Sequence, residues 1–350
     1  MNLQETLKKI HPLDEHAMEV SRKKWDSIAH PLHSLGLLED VLVQIAGITG
    51  KVEADIKKKV LVPMCADNGV VEEGVTQSGQ EITMLVAETF LTYQSAAARL
   101  CKEAGADVFP VDIGIAVDTK LPRDYKIAYG TKNMVKEPAM TYDEAVRAIE
   151  VGIHVAEKMA EQGYKIIATG EMGIGNTTTS SAVASVLLEQ PVETMTGRGA
   201  GLSSEGLQRK ISAIKKAIDL HQPKREDPID VLAKVGGFDI AGLVGVYLGG
   251  AALHIPVVID GFISGVAALA AQRICLDAGG YMIASHVSEE PAGKLILEAL
   301  GKEAFLHAHM CLGEGTGAVA IFPLLDMAAA IYNGMSTFQE YEMDAYEHLS

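Results

Sequence analysis

The chain has 350 residues and a formal net charge of -16, which excludes a general surface for nucleic acid or anionic membrane, since both need a basic footprint to meet phosphate. Hydrophobic residues make up 48%, aromatics only 5%, and there are 34 glycines, a composition for aliphatic parallel strands wrapped by helices, in one large domain with a smaller satellite. Any phosphate bound here must be held locally, by backbone N–H groups, hydroxyls or a few cations.

The N-terminal MNLQETLKKIHPLDEHAMEV carries acids and lacks a continuous apolar run, so no secretory signal is expected. Helical spacing continues through DSIAHPLHSLGLLEDVLVQIAGITG, giving a small helical lobe. The pattern then changes to short apolar runs that each lead into glycine-rich or polar residues: KKKVLVPMCADNG, ADVFPVDIGIAV, YKIIATGEMGIGN, IPVVIDGFISG and YMIASHVS. Helical patterns separate most of them. In EAVRAIEVGIHVAEKMAEQG, residues Val146, Ile149, Ile153, Ala156 and Met159 share one face before Gly163. Strand, loop and helix in repetition predict an α/β fold, a parallel sheet covered on both faces. Ligands bind such sheets beyond the carboxyl ends of the strands. The apolar GLVGVYLGGAALHIPVVI reads as a buried helix and strand, with no membrane span expected. Cys65, Cys101, Cys275 and Cys311 form no C-x-x-C pair and read as reduced cysteines of a cytoplasmic protein. Residues 118–140 read as a polar excursion, and the acidic tail EYEMDAYEHLS as helical or frayed.

In the first loop, ADNGVVEEGVTQSGQEIT, Glu72 and Glu73 read as solvated, while Gln80 has the groups to hydrogen-bond a planar heterocycle or simply water. The densest signal is ATGEMGIGNTTTSSAVASVLL. Here Gly173 and Gly175 permit close backbone approach, and Asn176, Thr177 and Thr178 stand where a helix offers free N–H groups. The residues suit a monophosphate, and equally a plain helix cap; the spacing matches neither a P-loop nor G-x-G-x-x-G.

TGRGAGLSSEGLQRKISAIKKAI offers a second cradle through Gly197, Gly199 and Gly201, before a helix capped at Ser203 or Ser204. Spacing alone puts its Lys210 on a solvated lysine-rich face. Asp239 in GGFDIAGLVG reads as a helix cap. Asp260 ends a strand without the second acid that a pyrophosphate–magnesium site would carry, and His307 with His309 reads as a structural pair, so no metal is expected. In LGEGTGA, Glu314 stands between Gly313 and Gly315. By itself the heptapeptide suits a solvated first-turn residue or a carboxylate presented to a ligand.

Assembled in order, ADNGVVEEGV, GEMGIGNTTTSSA, GRGAG, GGFDIAG, DGFISG, SHVSEE and LGEGTGA resemble the nicotinate-nucleotide:dimethylbenzimidazole phosphoribosyltransferases over nearly the whole chain. The resemblance implies a Rossmann-like parallel sheet domain at 56–324, with a small helical domain from both chain ends, 1–55 with 325–350, commonly in a homodimer. It implies phosphoribosyl transfer from nicotinate mononucleotide to a benzimidazole-type base, giving α-ribazole phosphate and nicotinate without a cofactor.

Glu314 matches the family's catalytic base. Glu171 and Lys210 match charged positions, one assigned to the developing ribosyl cation and the other to an anionic group of the donor. Donor contacts carry over to Gly173, Gly175, Asn176, Thr177, Thr178, Gly199, Gly201, Ser288 and Gly313, and acceptor contacts to Gln80 and Leu312. The chain departs from the pattern at Asn68, where the family usually has histidine, in TQSGQEIT, which lacks an aromatic–proline pair, and at Cys311, often arginine. These departures leave the acceptor's identity open. A non-catalytic nucleotide-binding module and a nucleoside phosphorylase or hydrolase are the rival expectations.

Overall fold

The computed structural model describes residues 1–348. Its sheet is wholly parallel, built from β1 (Lys59–Ala66), β2 (Ala106–Val108), β3 (Val111–Gly114), β4 (Ile166–Met172), β5 (Val257–Ile259) and β6 (Met282–Ala284). All five apolar runs read from the sequence carry strand. The run ADVFPVDIGIAV is divided in two, with Pro110, which has no N–H for the ladder, lying between β2 and β3. Both pieces pair with the same edge of β1, β2 at Lys59–Leu61 and β3 at Met64–Ala66.

The remaining order is β1-β4-β5-β6. The chain therefore winds outward from β1 to one edge, returns across it, and winds the other way. The reversal falls between β1 and β4, where connecting loops diverge and leave a crevice beyond the strand ends.

Side chains alternate across the sheet with period two. Val60, Val62, Met64 and Ala66 join the core on one face, and Leu61 and Cys65 the core on the other. Burial on both faces explains why β1 reads as a continuous apolar run. Each fully buried aliphatic side chain contributes about 1.5–3 kcal/mol. On the first face, helix Tyr142–Glu161 lies against helix Phe238–Ala252, whose residues are all buried. The two can approach because they meet at glycines: a Cβ on Gly152 would collide with the carbonyl oxygen of Gly242, and one on Gly245 with that of Ile149.

Segments near the two chain ends, around Ser21–Ile28 and Tyr332–Thr337, meet on the second face. Trp25 and Tyr332 stack with ring centroids 4.9 Å apart, the hydroxyls of Ser21 and Tyr332 lie 2.8 Å apart, and Ile28 bridges to Thr337. Their apolar residues share one core with Leu61 and Cys65 of the sheet. One stretch, Thr316–Gly334, is long and apolar enough to cross a membrane by length and composition, but half of its apolar window is buried inside the fold. Phe322, Leu325, Ala328 and Tyr332 spend that apolar face on the second core.

Candidate active site

A cleft of about 300 Å³ opens beyond the carboxyl ends of β1, β4, β5 and β6. Segments that are distant in sequence meet there: Glu171 to Thr177 from the end of β4 onward, Asp260 to Ser264 after β5, His286 and Ser288 after β6, and Cys311 to Glu314.

The LGEGTGA loop is the most contorted of these. Gly313, Glu314 and Gly315 take φ of +86°, +60° and +93° in succession. A non-glycine residue in that region costs about 1–2 kcal/mol, so the surroundings must hold Glu314 there. Asp260 is the main restraint: Oδ2 accepts the N–H of Gly315 at 3.1 Å, and Oδ1 those of Gly317 at 2.7 Å and Ala318 at 3.1 Å. The loop lies flat over the end of β4, and a Cβ on Gly170 would sit 2.5 Å from the carbonyl oxygen of Glu314. Asp260, read from sequence only as half of a missing acidic pair, is thus the anchor of the Glu314 loop.

Glu314 is half-buried and lines the cleft, and its Oε2 accepts the N–H of Ala97 at 3.3 Å, at the start of helix Ala96–Glu103. Burial pushes its carboxyl above the ordinary range, opposed by the N–H groups of Ala97 and Ala96. Such a group is a stronger base once ionised.

Glu171, the penultimate residue of β4, is buried and pushed up to about 8, by burial first and by Asp239 second. Asp239 is pushed up to about 7 by burial. One amide serves both: Asn176 Nδ2 donates to Glu171 Oε2 and, at 3.0 Å, to Asp239 Oδ2. Asp239 is therefore not the helix cap that its position suggested; Gly237 occupies that place. Nor does Asn176 cap its own helix, Asn176–Leu188, where Gly175 at φ +94° is the N-cap. Of the N–H groups at this turn, those of Asn176 and Thr178 close onto the carbonyl oxygens of Gly173 and Gly175 at 3.1 and 2.9 Å, while that of Thr177, without a partner among the described residues, lies in the cleft lining, where an anion suits it.

Lys210 corrects the reading from spacing. It is completely buried, with Nζ 2.8 Å from Thr177 Oγ1 and 3.1 Å from the carbonyl oxygen of Gly197. Burial lowers its ammonium to about 8, countered by nearby Glu290. It stands behind the cleft wall and reaches it through Thr177.

Of the other residues singled out in the sequence, Gly173, Gly175, Gly199, Ser288, Leu312 and Gly313 line the cleft. Three do not. Thr178 is buried with its hydroxyl unpartnered among the described residues, Gly201 accepts from Gln77 Nε2, and Gln80 Nε2 donates to the carbonyl oxygen of Asn68 at 3.2 Å, tying the first loop to the end of β1. His307 and His309 are not a packed pair: both are exposed, and His309 Nδ1 lies 2.8 Å from Glu289. Among the described residues no group of three or more His, Cys, Asp or Glu is placed to hold a metal ion. The sequence reading passed over His286, Glu290 and Met172, which line the cleft. The first two sit in the quoted SHVSEE, and the signal was their place just after a strand.

Fold and cleft together define a class, an α/β protein that presents a carboxylate and a glycine-rich helix N-terminus to one cleft at a topological switch point. The chain belongs to the phosphoribosyltransferase family whose model, DBI_PRT, matches residues 10–343. It is 48% identical to the nicotinate-nucleotide–dimethylbenzimidazole phosphoribosyltransferase of Acetivibrio thermocellus, over 98% of each chain. It is 47% identical to the enzyme of that name from Clostridium tetani, over 97% of this chain and 94% of that one. The crystal structure of CobT from Thermus thermophilus superposes with a TM-score of 0.88 at 36% identity, covering 94% of this chain and 99% of that chain.

Proposed function

We propose that the protein transfers the phosphoribosyl group of nicotinate mononucleotide to a benzimidazole-type base, releasing nicotinate and α-ribazole 5'-phosphate, a step in making the nucleotide loop of cobamides. The observation that carries this reading is that Glu314 and the Gly173–Thr177 helix start line a single cleft, in a chain of this family. A phosphorylated sugar held by the second is presented to a base held by the first.

In the reaction, one ring nitrogen of the acceptor bonds to the anomeric carbon through its lone pair. The bond from that carbon to the pyridinium nitrogen breaks, and its electron pair neutralises the departing nicotinate ring. The acceptor's N–H proton passes to Glu314. General-base help of this kind is typically worth about a hundred- to ten-thousand-fold.

The phosphate takes the N–H groups of Gly175 and Thr177 and the Thr177 hydroxyl, with Lys210 behind it and Gly199 alongside, while Ser288 contacts the donor's ribose. Glu171 faces the ribosyl carbon. With a value of about 8 it holds a proton in the free protein at neutral pH. A cationic pyridinium or ribosyl centre draws that proton off, so that charge stabilisation is strongest when the cation is present. The acceptor ring lies against Leu312 and the apolar wall of Met172, Ile174 and Val86, which line the same cleft. Gln80 positions the loop beside it.

By the same family reading the protein works as a cytoplasmic homodimer, with the paired ends 1–55 and 325–350 as a helical lobe beside the catalytic body 56–324. Light scattering coupled to size exclusion checks the dimer. The activity is tested by incubating the protein with nicotinate mononucleotide and a panel of benzimidazoles and purines, then separating the products. Equal amounts of ribazole phosphate and nicotinate are expected. Ribose phosphate without any ribazole would move the protein to the phosphorylases, and no product with any acceptor would leave a binding module.

A further inference from the structure

We propose that His286 and Ser288 hold the two neighbouring ribose hydroxyls of the donor, with the bare face of Gly261 between them and His286 accepting a hydrogen bond at Nε2. The inference rests on the phosphoribosyl reading of the cleft and assigns one wall of it.

The argument turns on one hydroxyl hydrogen. Ser285 Oγ donates to the carbonyl oxygen of Asp260 at 2.9 Å and also lies 3.0 Å from His286 Nδ1. A serine hydroxyl has a single hydrogen, and the carbonyl, which can only accept, takes it. Nδ1 must then be the donor to Ser285 Oγ, which leaves the lone pair of the neutral ring on Nε2. That nitrogen has no hydrogen-bond partner among the described residues, and His286 lines the cleft.

Ser288 has the opposite character. Its Oγ accepts the N–H of Glu290 at 3.3 Å, so its own hydrogen is free to donate. A Cβ built on Gly261 would lie 3.3 Å from His286 Nε2 and 3.6 Å from Ser288 Oγ. The two atoms therefore border one small space, into which a side chain at 261 would project. An acceptor beside a donor matches a vicinal diol, one hydroxyl giving its hydrogen to Nε2 while the other takes the hydrogen of Ser288. A phosphate dianion has no hydrogen to give and would face the lone pair unfavourably; its donors lie at the helix start, at Gly175 and Thr177. Burial keeps the imidazole below its ordinary value, against the opposing pull of Asp260, which favours the neutral ring.

The test is calorimetric titration of the full chain with nicotinate mononucleotide and its 2'-deoxy and 3'-deoxy analogues, for the parent protein, H286A and the ring-shaped H286F. In the parent, deleting the hydroxyl that faces Nε2 should weaken binding roughly fivefold, the scale of one hydrogen bond. In either variant that deletion should cost nothing further, while deletion of the other hydroxyl costs the same as in the parent. If neither deoxy donor binds the parent more weakly, or if both losses persist undiminished in the variants, the His286 contact is overturned and the phosphoribosyl reading stands. If the parent does not bind nicotinate mononucleotide at all, both fall.

Discussion

Asp260, at the end of one strand, accepts the N–H of Gly317, 57 residues further on, at 2.7 Å. Through this contact and two others from the same carboxylate, a buried strand end holds the loop that presents Glu314. Replacing Asp260 with Asn keeps the size but turns one acceptor into a donor aimed at N–H groups. Hydrogen bonds to a charged group are worth about 1.5–3 kcal/mol each, so D260N should lower the melting temperature and reduce turnover far more than donor affinity. Equal turnover in parent and variant would mean that the loop holds itself.

Glu314 itself is read most directly by E314Q, which keeps shape and removes basicity. Turnover should fall on the order of a hundred-fold or more, with donor affinity by calorimetry unchanged. In the parent, the acid limb of the rate profile should lie above the ordinary carboxylate range, since burial raises this group. A variant as fast as the parent removes Glu314 from the chemistry.

Gly175 tests the cradle. Its φ of +94° and the 2.8 Å that would separate a Cβ from Val71 Cγ2 leave no room for a side chain. Strained backbone of this kind costs about 1–3 kcal/mol, so G175A should melt earlier, and at temperatures where it is folded it should bind nicotinate mononucleotide more weakly than the parent. Donor affinity equal to the parent's would place the phosphate elsewhere.

Glu171 and Asp239 make stability depend on pH in a definite direction. Both have folded values, about 8 and about 7, above their ordinary values of 4.5 and 3.8. Between those limits the folded chain holds protons that the unfolded chain has lost, so stability falls as pH rises from about 4 to about 8 and then levels. E171Q carries no ionisable group there and should lose less stability than the parent between about pH 5.5 and about pH 8.5 in urea unfolding. Parallel curves for the two proteins would show that Glu171 is ionised in the folded state.

The Glu171 proposal also predicts proton release on donor binding. Near neutral pH the arriving pyridinium cation should displace the Glu171 proton, giving a binding heat that varies with the ionisation enthalpy of the buffer. That variation should be absent in E171Q. A parent whose binding heat is the same in every buffer would end the assignment.

Much of the architecture was legible in the chain because its determinants are local. The five apolar runs, the apolar face of the helix Tyr142–Glu161 and the cap at Ser203 each follow from side-chain period and from residues within a few positions. The glycine-rich strand ends followed too, since conformational freedom is a property of the residue. The motifs, in order, were enough to identify the family.

What tertiary structure decided is which side chains face each other across long stretches of chain. Spacing put Lys210 on a solvated face, yet the packing of Ser204–His221 buries it against Thr177. Asp239 sat where a helix cap belongs, yet shares the Asn176 amide with Glu171, far back in the chain. Asp260 and Glu314 had no visible connection until β5 and the last loop met. Period and propensity act over a few residues, whereas burial and electrostatics act over a few ångströms. Only the folded chain turns that second kind of nearness into a site.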